Sequence, residues 1–269
     1  MCNVLMVFPR FNPNSFWSLQ AVCDLYGARC LAPPLGLMTL ANLLPPEWNI
    51  RLINRNAEEL RESDFEWANM VMTGGMLPQR SDTLTVIDQC RTRGKPVVVG
   101  GPDAMSSPEA YGHADFLVLG EAEAIIGQFV EAWNSGARRG VFQGEKFQVD
   151  VTTSPIPRFD LIDFRHYCYI GVQFSRGCPF NCDFCDIIEL YGRVPRSKSN
   201  EQMLAELVDR LDIRRVGDSD VKPVVLQLVR DGDRAFEHVR RNGLGGSLVD
   251  SLRGEIDRRK MRVIGLDPP

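Results

Sequence analysis

The chain has 269 residues, a formal net charge of −4 and a composition that is 44% hydrophobic and 25% charged. That length accommodates one large domain or two ordinary ones. The slight negative charge provides no basic field for nucleic acid. No apolar run approaches the roughly 20 residues that a membrane span needs. We therefore expect a globular protein with neither a nucleic-acid partner nor a transmembrane segment.

The eight cysteines indicate a reducing compartment. The chain is not small, and three of the cysteines lie within eight residues of one another, so a disulfide framework is not expected. Residues 1–8 are apolar but lack a basic region and a cleavage site, which predicts a buried strand and no signal peptide. The sequence thus predicts a cytoplasmic protein. The other five cysteines are predicted to be free thiols or apolar residues: Cys2, Cys23, Cys30, Cys90 and Cys168.

Roughly the first 150 residues alternate short apolar runs with amphipathic stretches, which is the pattern of a parallel α/β sheet. Five strands are predicted, at residues 4–8, 50–53, 69–73, 96–99 and 116–119. Helices are predicted at residues 34–44, 79–93 and 122–133. Because the strands are apolar along their whole length, we expect helices on both faces of the sheet.

Each predicted strand from the third onward ends in glycine, at Gly74-Gly75, Gly100-Gly101 and Gly120. In open α/β sheets, ligands bind at the carboxyl ends of the strands, and glycine lets the backbone approach a ligand closely. These glycines predict a ligand site at that edge, with tight turns as the alternative explanation. The chain has no G-x-G-x-x-G after its first strand and no P-loop motif, which argues against dinucleotide and nucleoside triphosphate sites.

Beyond the predicted sheet, a short hairpin is expected at residues 141–151, followed by a Pro/Thr/Ser-rich linker at 152–160. An apolar strand at 169–175 is expected to open a second domain. Short helices are predicted at 187–191 and from Ser199 to about residue 210, with Ser199 and Gln202 forming a capping box. Arg176 and the basic turn 193–196 are interpreted as solvated, with anion binding as the alternative.

Cys178, Cys182 and Cys185 have C-x3-C-x2-C spacing, and Phe184 stands just before the third cysteine. Three thiolates on one tight loop can hold three corners of a cubic iron–sulfur cluster, which usually takes four cysteines. Because no cysteine follows Cys185, one iron would remain open for chemistry. A zinc site or a set of buried thiols is the alternative, but zinc sites usually take four Cys or His ligands in two separated pairs. The spacing therefore favours the cluster.

Several stretches of the chain carry a family resemblance, and the strongest is the fifteen-residue run 173–187 around the cysteines, continuing to 190–196. The others are Val-Phe-Pro-Arg at 7–10, Ala-Pro-Pro-Leu-Gly-Leu at 32–37, Gly-Met-Leu-Pro-Gln-Arg at 75–80, Val-Val-Gly-Gly-Pro at 98–102, Leu-Gly-Glu-Ala-Glu at 119–123 and Pro-Arg-Phe-Asp-Leu at 157–161. Together they resemble the cobalamin-binding-domain radical S-adenosylmethionine (SAM) family, in the subgroup that includes the hopanoid methylases. The resemblance covers roughly residues 3–210.

The resemblance implies an α/β fold with a Rossmann-like, parallel-sheet cobalamin-binding domain at residues 1–137. A connector at 138–168 and the start of a truncated radical SAM (β/α) partial barrel at 169–210 would follow. It implies that Cys178, Cys182 and Cys185 ligate a 4Fe-4S cluster and that Phe184 lies near the SAM adenine. The implied corrin-lining residues are Thr73, Gly74, Gly75, Met76, Gly100, Gly101, Pro102, Gly120 and Glu121.

Members of this family often move a methyl group from SAM through cobalamin to an unactivated carbon, after a 5′-deoxyadenosyl radical has removed a hydrogen. The resemblance therefore implies three cofactors: the 4Fe-4S cluster, SAM and cobalamin. It also implies a small-molecule or lipid-like substrate and an electron donor such as a flavodoxin or ferredoxin. No catalytic side chain is assigned. The chain lacks an Asp-x-His-x-x-Gly motif, so no axial histidine is expected, and His113 is predicted to lie on the surface.

Residues 211–269 do not match the family pattern. They contain ten arginines and a single aromatic residue, Phe236. From Tyr169 onward the chain is also much shorter than a complete barrel, which takes ~250 residues. We expect an atypical tail, from a shifted reading frame or disordered, after a truncated barrel. This expectation leaves a second hypothesis open: a catalytically incompetent protein that binds cobalamin and an iron–sulfur cluster.

Overall fold

The architecture of the chain is centred on a six-stranded parallel sheet with the order β2-β1-β3-β4-β5-β6. The computed structural model describes residues 2–183 and 185–208. The strands are β1 (Asn3–Phe8), β2 (Asn49–Asn54), β3 (Met70–Gly74), β4 (Val97–Gly100), β5 (Phe116–Leu119) and β6 (Gly140–Gln143).

Helices cover both faces of this sheet. One face packs against α2 (Leu35–Leu43) and α6 (Ala122–Asn134), and the other packs against α3 (Glu62–Trp67), α4 (Arg80–Thr92) and α5 (Pro102–Ser106). A further short helix, α1 (Gln20–Leu25), lies in the long loop after β1. The predicted α/β fold with helices on both faces is confirmed.

The alternation of side chains along β1 shows how the two cores form. Val4 and Met6 point into the layer of α2 and α6, whereas Leu5 and Val7 point into the layer of α3, α4 and α5. All four side chains are fully buried. Each contributes roughly 1.5–3 kcal/mol through removal of apolar surface from water. A strand that is buried on both faces is apolar at every position, as the sequence of β1 shows.

The order of the strands reverses direction at β1. The chain passes from β1 to β2 on one side and then returns across β1 to β3 on the other. In such a sheet the loops after β1 and β3 leave on opposite faces, and a crevice opens between them at the carboxyl edge. The loops after β1, β3, β4 and β5 all meet at this edge.

The five predicted strands and three predicted helices of the first domain are present, each within one residue of its expected ends. Helices α1, α3 and α5 were not predicted. The hairpin expected at residues 141–151 is wrong, because β6 joins the sheet as a sixth parallel strand beside β5. Its Phe142 ring packs against Phe116 and Phe129, so burial of this ring favours the sheet over a hairpin. The domain boundaries stay a prediction.

The strand expected at residues 169–175 is also wrong. The backbone there pairs with the loop before α2, where the amides of Cys168 and Tyr169 donate to the Leu31 carbonyl at 3.1 and 3.2 Å. Only β7 (Ser175–Arg176) is extended in a ladder, antiparallel to β8 (Arg196–Ser197). The start of the run is bonded to that loop, and only its end reaches β8, where the Lys198 amide donates to the Phe174 carbonyl at 2.8 Å, so residues 169–174 form no strand.

Two further helices surround this small ladder, and both were predicted. Helix α7 (Ile187–Tyr191) follows the cysteine loop, and α8 (Asn200–Val208) ends the described part of the chain. The capping box of α8 is confirmed, since the Ser199 amide donates to Gln202 Oε1 at 2.9 Å and the Gln202 amide donates to Ser199 Oγ at 3.2 Å. The predictions for residues 211–269 lie outside the described residues.

Candidate cofactor site at the carboxyl edge of the sheet

The glycine loops after β3 and β4 pack directly against each other. A Cβ on Gly74 would lie 2.2 Å from the carbonyl oxygen of Gly100, and a Cβ on Gly101 would lie 3.3 Å from the amide nitrogen of Gly75. Gly101 also has a positive φ of 87°, which glycine adopts without strain. The predicted lining residues of these loops therefore share one edge, and close backbone packing is one reason for the glycines there.

Two of the predicted corrin-lining side chains are buried and hydrogen-bonded to other residues of the fold. Thr73 is buried and its hydroxyl donates to the Val7 carbonyl at 2.8 Å. Glu121 is buried, and both of its carboxylate oxygens accept hydrogen bonds from arginines. Of the other seven predicted residues, Gly74 is buried. The remaining six are half-buried and partly accessible: Gly75, Met76, Gly100, Gly101, Pro102 and Gly120. The lining set as a whole stays a prediction.

A buried glutamine joins the loops after β1 and β3. Gln79 has no exposed surface, its Nε2 donates to the Pro9 carbonyl at 2.7 Å, and its Oε1 accepts from the Met76 amide at 3.0 Å. No role was predicted for Gln79 from the sequence. The signal available in the sequence was the resemblance of residues 75–80 to a family stretch. In the structure, Gln79 joins the loops after β1 and β3, which border the crevice at the carboxyl edge.

A second hydrogen-bond network joins α4 to α5, the helices that follow the loops after β3 and β4. Arg80 makes two hydrogen bonds to the buried carboxylate of Asp103, at 2.7 and 2.8 Å, and the Tyr111 hydroxyl also donates to Asp103. Burial alone would raise the pKa of Asp103, but the hydrogen bonds from Arg80 and Tyr111 outweigh burial and lower it. Burial and then the hydrogen bond to Asp103 raise the pKa of Tyr111. Asp103 is therefore held as a carboxylate.

The cysteine loop begins with a backbone turn that requires glycine. Gly177 has a φ of 95°, and a Cβ there would lie 2.7 Å from the Val194 carbonyl oxygen. The Cys178 amide then donates to the Gly192 carbonyl at 3.0 Å, and the Cys185 amide donates to the Cys182 carbonyl at 3.1 Å. The start of the loop is thus packed against the segment that follows α7, and its middle turns back on itself.

The three thiols of this loop are free and accessible to solvent. Cys178 and Cys185 are half-buried and Cys182 is exposed. Between residues 2 and 208, Phe184 excepted, no three Cys, His, Asp or Glu side chains converge as a metal site. The donor chemistry nevertheless fits an iron–sulfur cluster, because three unpaired thiols stand on one short loop. Phe184 lies outside the described residues, and the ligand set stays a prediction.

Two other predictions about side chains at the surface and in the core are confirmed. None of the five cysteines outside the loop forms a disulfide; Cys168 is half-buried and the other four are buried. Burial raises the pKa of Cys90 to about 12, as expected for an inert apolar residue. His113 is exposed.

A buried ion-pair network ties the cysteine loop to the carboxyl edge of the sheet. Arg176, two residues before Cys178, donates to Glu121 at 3.0 Å and to Glu123 at 3.0 and 2.6 Å. Its Nε donates to Gln173 Oε1 at 2.8 Å. Because Glu121 and Glu123 lie where β5 gives way to α6, these contacts connect the two parts of the chain.

Arg196 extends the network from the neighbouring strand β8. Its Nη1 donates to Glu121 Oε2 and to the Val149 carbonyl, both at 2.8 Å, and its Nη2 donates to the Tyr191 carbonyl at 3.1 Å. Two guanidinium groups thus balance two carboxylates. The interpretation of Arg176 and Arg196 as solvated is wrong, because their side chains are only 11% and 17% exposed.

The electrostatics of this network keep Arg176 and Glu123 charged. Burial alone would lower the pKa of Arg176, but hydrogen bonds and charges from Glu123 and Glu121 outweigh burial and raise it. Burial alone would raise the pKa of Glu123, but Arg176 and Ser154 outweigh burial and lower it. Removing one partner from a buried pair costs roughly 3–5 kcal/mol, because it leaves a buried charge unpaired. The network is therefore expected to be rigid.

A cavity of about 720 Å³ opens at the same edge, at the ends of β1 and β2. Its lining residues come from the loops after these strands, from the α1 segment and from His166 of the connector, and they include Arg10, Arg29, Arg55 and Arg61. Arg10 pairs with Glu59 at 3.0 Å and Arg55 pairs with Asp82 at 2.8 Å. None of the predicted corrin-lining residues lines this cavity.

Proteins of similar sequence show the class of protein to which this chain belongs. No protein-family model matches it. An uncharacterized methyltransferase of Synechocystis is 46% identical over 205 residues, which is 76% of this chain and 38% of that protein. The hopanoid C-2 methylase of Rhodopseudomonas palustris is 35% identical over 213 residues, which is 77% of this chain and 40% of that protein. The chain spans about two fifths of the length of these relatives.

A solved structure has the same fold over most of the described chain. It is the radical SAM methyltransferase TsrM from Kitasatospora setae, which has tryptophan and a SAM analogue bound. The TM-score is 0.57 at 16% sequence identity, and the match covers 80% of this chain and 46% of that one. At this identity the likeness shows the fold alone, and it confirms the predicted fold class.

With these relatives, the parallel sheet and the cysteine loop that follows it define a radical SAM protein with an amino-terminal Rossmann-like fold. Within that class, the chain belongs to the cobalamin-binding-domain family that includes the hopanoid methylases. The resemblance predicted from the sequence is confirmed. No helix of the described residues is long and apolar enough to cross a membrane.

Proposed function

We propose that this chain is part of a radical SAM methyltransferase that uses a 4Fe-4S cluster and cobalamin. The observation that carries the proposal is the loop of Cys178, Cys182 and Cys185, whose thiols are free and accessible to solvent. Arg176 binds the base of that loop to the carboxyl edge of the sheet. The relatives named above as methyltransferases support methyl transfer as the reaction.

The side chains of the loop have a binding role in this proposal. Cys178, Cys182 and Cys185 would hold three corners of the cluster, and Phe184 would lie beside SAM. When bound, the cluster supplies the electron that cleaves SAM reductively, and its fourth iron is free to bind SAM because the loop offers three thiols. The protein binds and orients these cofactors. A flavodoxin or ferredoxin is the proposed electron donor.

The half-buried glycine loops at the carboxyl edge are the proposed surface for cobalamin. Gly75, Gly100 and Gly101 offer backbone without side chains, so a flat ligand can approach closely. Thr73 and Glu121 would support this surface from within, since their polar groups are committed to other residues. No histidine of the loop after β1 is available as an axial ligand.

The proposed substrate is a small molecule or lipid with an unactivated carbon. The name of one relative, a hopanoid C-2 methylase, supports an apolar substrate. The other hypothesis, a binding protein without turnover, depends on residues 211–269, which lie outside the described residues. No finding on the described part of the chain favours that hypothesis over methyl transfer.

An anaerobic assay of SAM cleavage tests the proposed function. The protein is reconstituted with iron, sulfide and cobalamin, then given SAM and a strong one-electron reductant. We expect 5′-deoxyadenosine to accumulate, because the open iron of the cluster binds SAM. We also expect S-adenosylhomocysteine when cobalamin is present and not when it is omitted, because the methyl group needs an acceptor.

Two outcomes separate the hypotheses. If the cluster assembles and no 5′-deoxyadenosine forms, the chain binds the cofactor without turnover and the proposal is wrong for this chain. If 5′-deoxyadenosine forms but S-adenosylhomocysteine does not depend on cobalamin, the radical SAM assignment stands and the role of cobalamin is wrong.

A further inference from the structure

We propose that Arg176 is a positioning residue, which fixes the cysteine loop over the sheet by binding Glu121 and Glu123. The first domain would then form part of the metal site, because two of its side chains determine where the loop begins. This inference rests on the proposed role of Cys178, Cys182 and Cys185 as cluster ligands. It assigns to Glu121 a role other than corrin lining.

The covalent path from Arg176 to the first thiol is short and stiff. One residue, Gly177, separates Arg176 from Cys178, and its backbone is held by the close approach of the Val194 carbonyl. The Arg176 backbone is itself paired with Arg196 in the β7–β8 ladder. The bonds of the Arg176 guanidinium group to Glu121 and Glu123 therefore attach the base of the cysteine loop to the sheet two residues before Cys178.

The contacts of Arg176 suit a guanidinium group and no other cation. Three of its nitrogens donate to four different side chains, and the two carboxylates receive three of these bonds. The planar fork of arginine supplies several donors in fixed directions, whereas lysine offers a compact charge on a flexible stem. The Arg176 side chain is 11% exposed and those of Glu121 and Glu123 are 3% and 8% exposed, so water cannot readily replace a lost partner.

Arg196 also binds the Glu121 carboxylate. Glu121 accepts from Arg176 through one oxygen and from Arg196 through the other. Arg196 also holds the carbonyl of Tyr191, at the end of the helix that follows the loop. The two arginines therefore bind the two ends of the cysteine-bearing segment to one glutamate of the first domain.

Hydrogen exchange on the protein before reconstitution tests this role without any cofactor. In Arg176→Gln we expect the amides of residues 177–194 to exchange about tenfold faster or more, as the loop separates from the sheet. Arg176→Lys should recover only part of the protection, because lysine cannot make the forked contacts. Arg158→Gln is the matched control, since it removes an arginine–carboxylate pair within the connector and should leave residues 177–194 unchanged.

A double-mutant cycle with Glu123→Gln identifies the partner of Arg176. If Arg176 acts through Glu123, the double variant should show the same exchange in residues 177–194 as Arg176→Gln alone, and the effects should not add. Additive effects, or wild-type exchange in Arg176→Gln, would show that the loop is positioned by other contacts. Circular dichroism of each variant confirms that the parallel sheet is folded before exchange is compared.

The reconstituted protein gives a second readout that a merely structural role would not change. We expect Arg176→Lys to retain iron while its cluster shows an altered electron paramagnetic resonance (EPR) spectrum with SAM. If the wild type assembles a cluster and Arg176→Lys gives the wild-type spectrum, the positioning role is wrong and the proposed function stands. If the wild type itself assembles no cluster, the proposed function is wrong. The hydrogen exchange of residues 177–194 still tests whether Arg176 attaches the loop to the sheet.

Discussion

Replacing any one of Cys178, Cys182 or Cys185 with alanine is expected to abolish assembly of the iron–sulfur cluster. Each thiol would hold a different iron, and the loop offers no spare cysteine to take its place. Iron and sulfide per protein, measured after anaerobic reconstitution, should fall from about four in the wild type to near zero in each variant. The visible absorption of the cluster should disappear with them.

Cys168→Ala is the matched control for these variants. Cys168 is half-buried and forms no disulfide, as is true of two of the loop cysteines, but it lies on the connector. Its replacement should leave the iron content unchanged. A wild-type iron content in Cys182→Ala would show that the cluster is not held by this loop, and the assignment of the three ligands would be wrong.

Gly74→Ala should destabilise the first domain more than any other single methyl group added at the glycine loops. The added Cβ would lie 2.2 Å from the Gly100 carbonyl oxygen, so the loops after β3 and β4 must separate. Neither group is a flexible side chain, and overpacking of this kind costs about 3 kcal/mol or more. Urea denaturation followed by circular dichroism measures the free energy of unfolding.

Gly127→Ala provides the comparison, because Gly127 is exposed in the middle of α6 and no atom lies within 4 Å of its added Cβ. Alanine there should stabilise the protein by about 0.5–1 kcal/mol through its higher helix propensity. Equal stability of the two variants would contradict the close packing of the glycine loops. If Gly74→Ala does not fold at all, the contrast with a folded Gly127→Ala still decides the question.

The first domain was predictable because its strands are unambiguous in the sequence. Apolar runs such as 97–99 are bounded by glycine and proline, and amphipathic helices separate them. The hydrophobic periodicity and the turn residues therefore predict the same element boundaries. The sixth strand was missed for a physical reason. Residues 140–143 form a short segment that alternates between half-buried and exposed, and they join the sheet through pairing with β5 and packing of Phe142 on Phe116, which are contacts distant in sequence.

The candidate site was predictable only where its chemistry is local. The spacing of the three cysteines is contained in eight residues, so the sequence alone indicates their common role. The partners of Arg176 lie 53 and 55 residues away, and no pattern in one sequence joins them. For the same reason Glu121 was assigned to the corrin surface, although its carboxylate binds Arg176 and Arg196 inside the fold.

The electron paramagnetic resonance spectrum of the reduced, reconstituted protein, recorded with and without SAM, shows whether the cysteine loop holds a cluster with one iron open for SAM. We predict a 4Fe-4S signal that changes when SAM is added, because the loop of Cys178, Cys182 and Cys185 leaves one iron open for SAM. A cluster signal that is unchanged by SAM, as expected of a cluster with four protein ligands, would rule out an open iron on this loop. So would the absence of any cluster from protein that is otherwise folded.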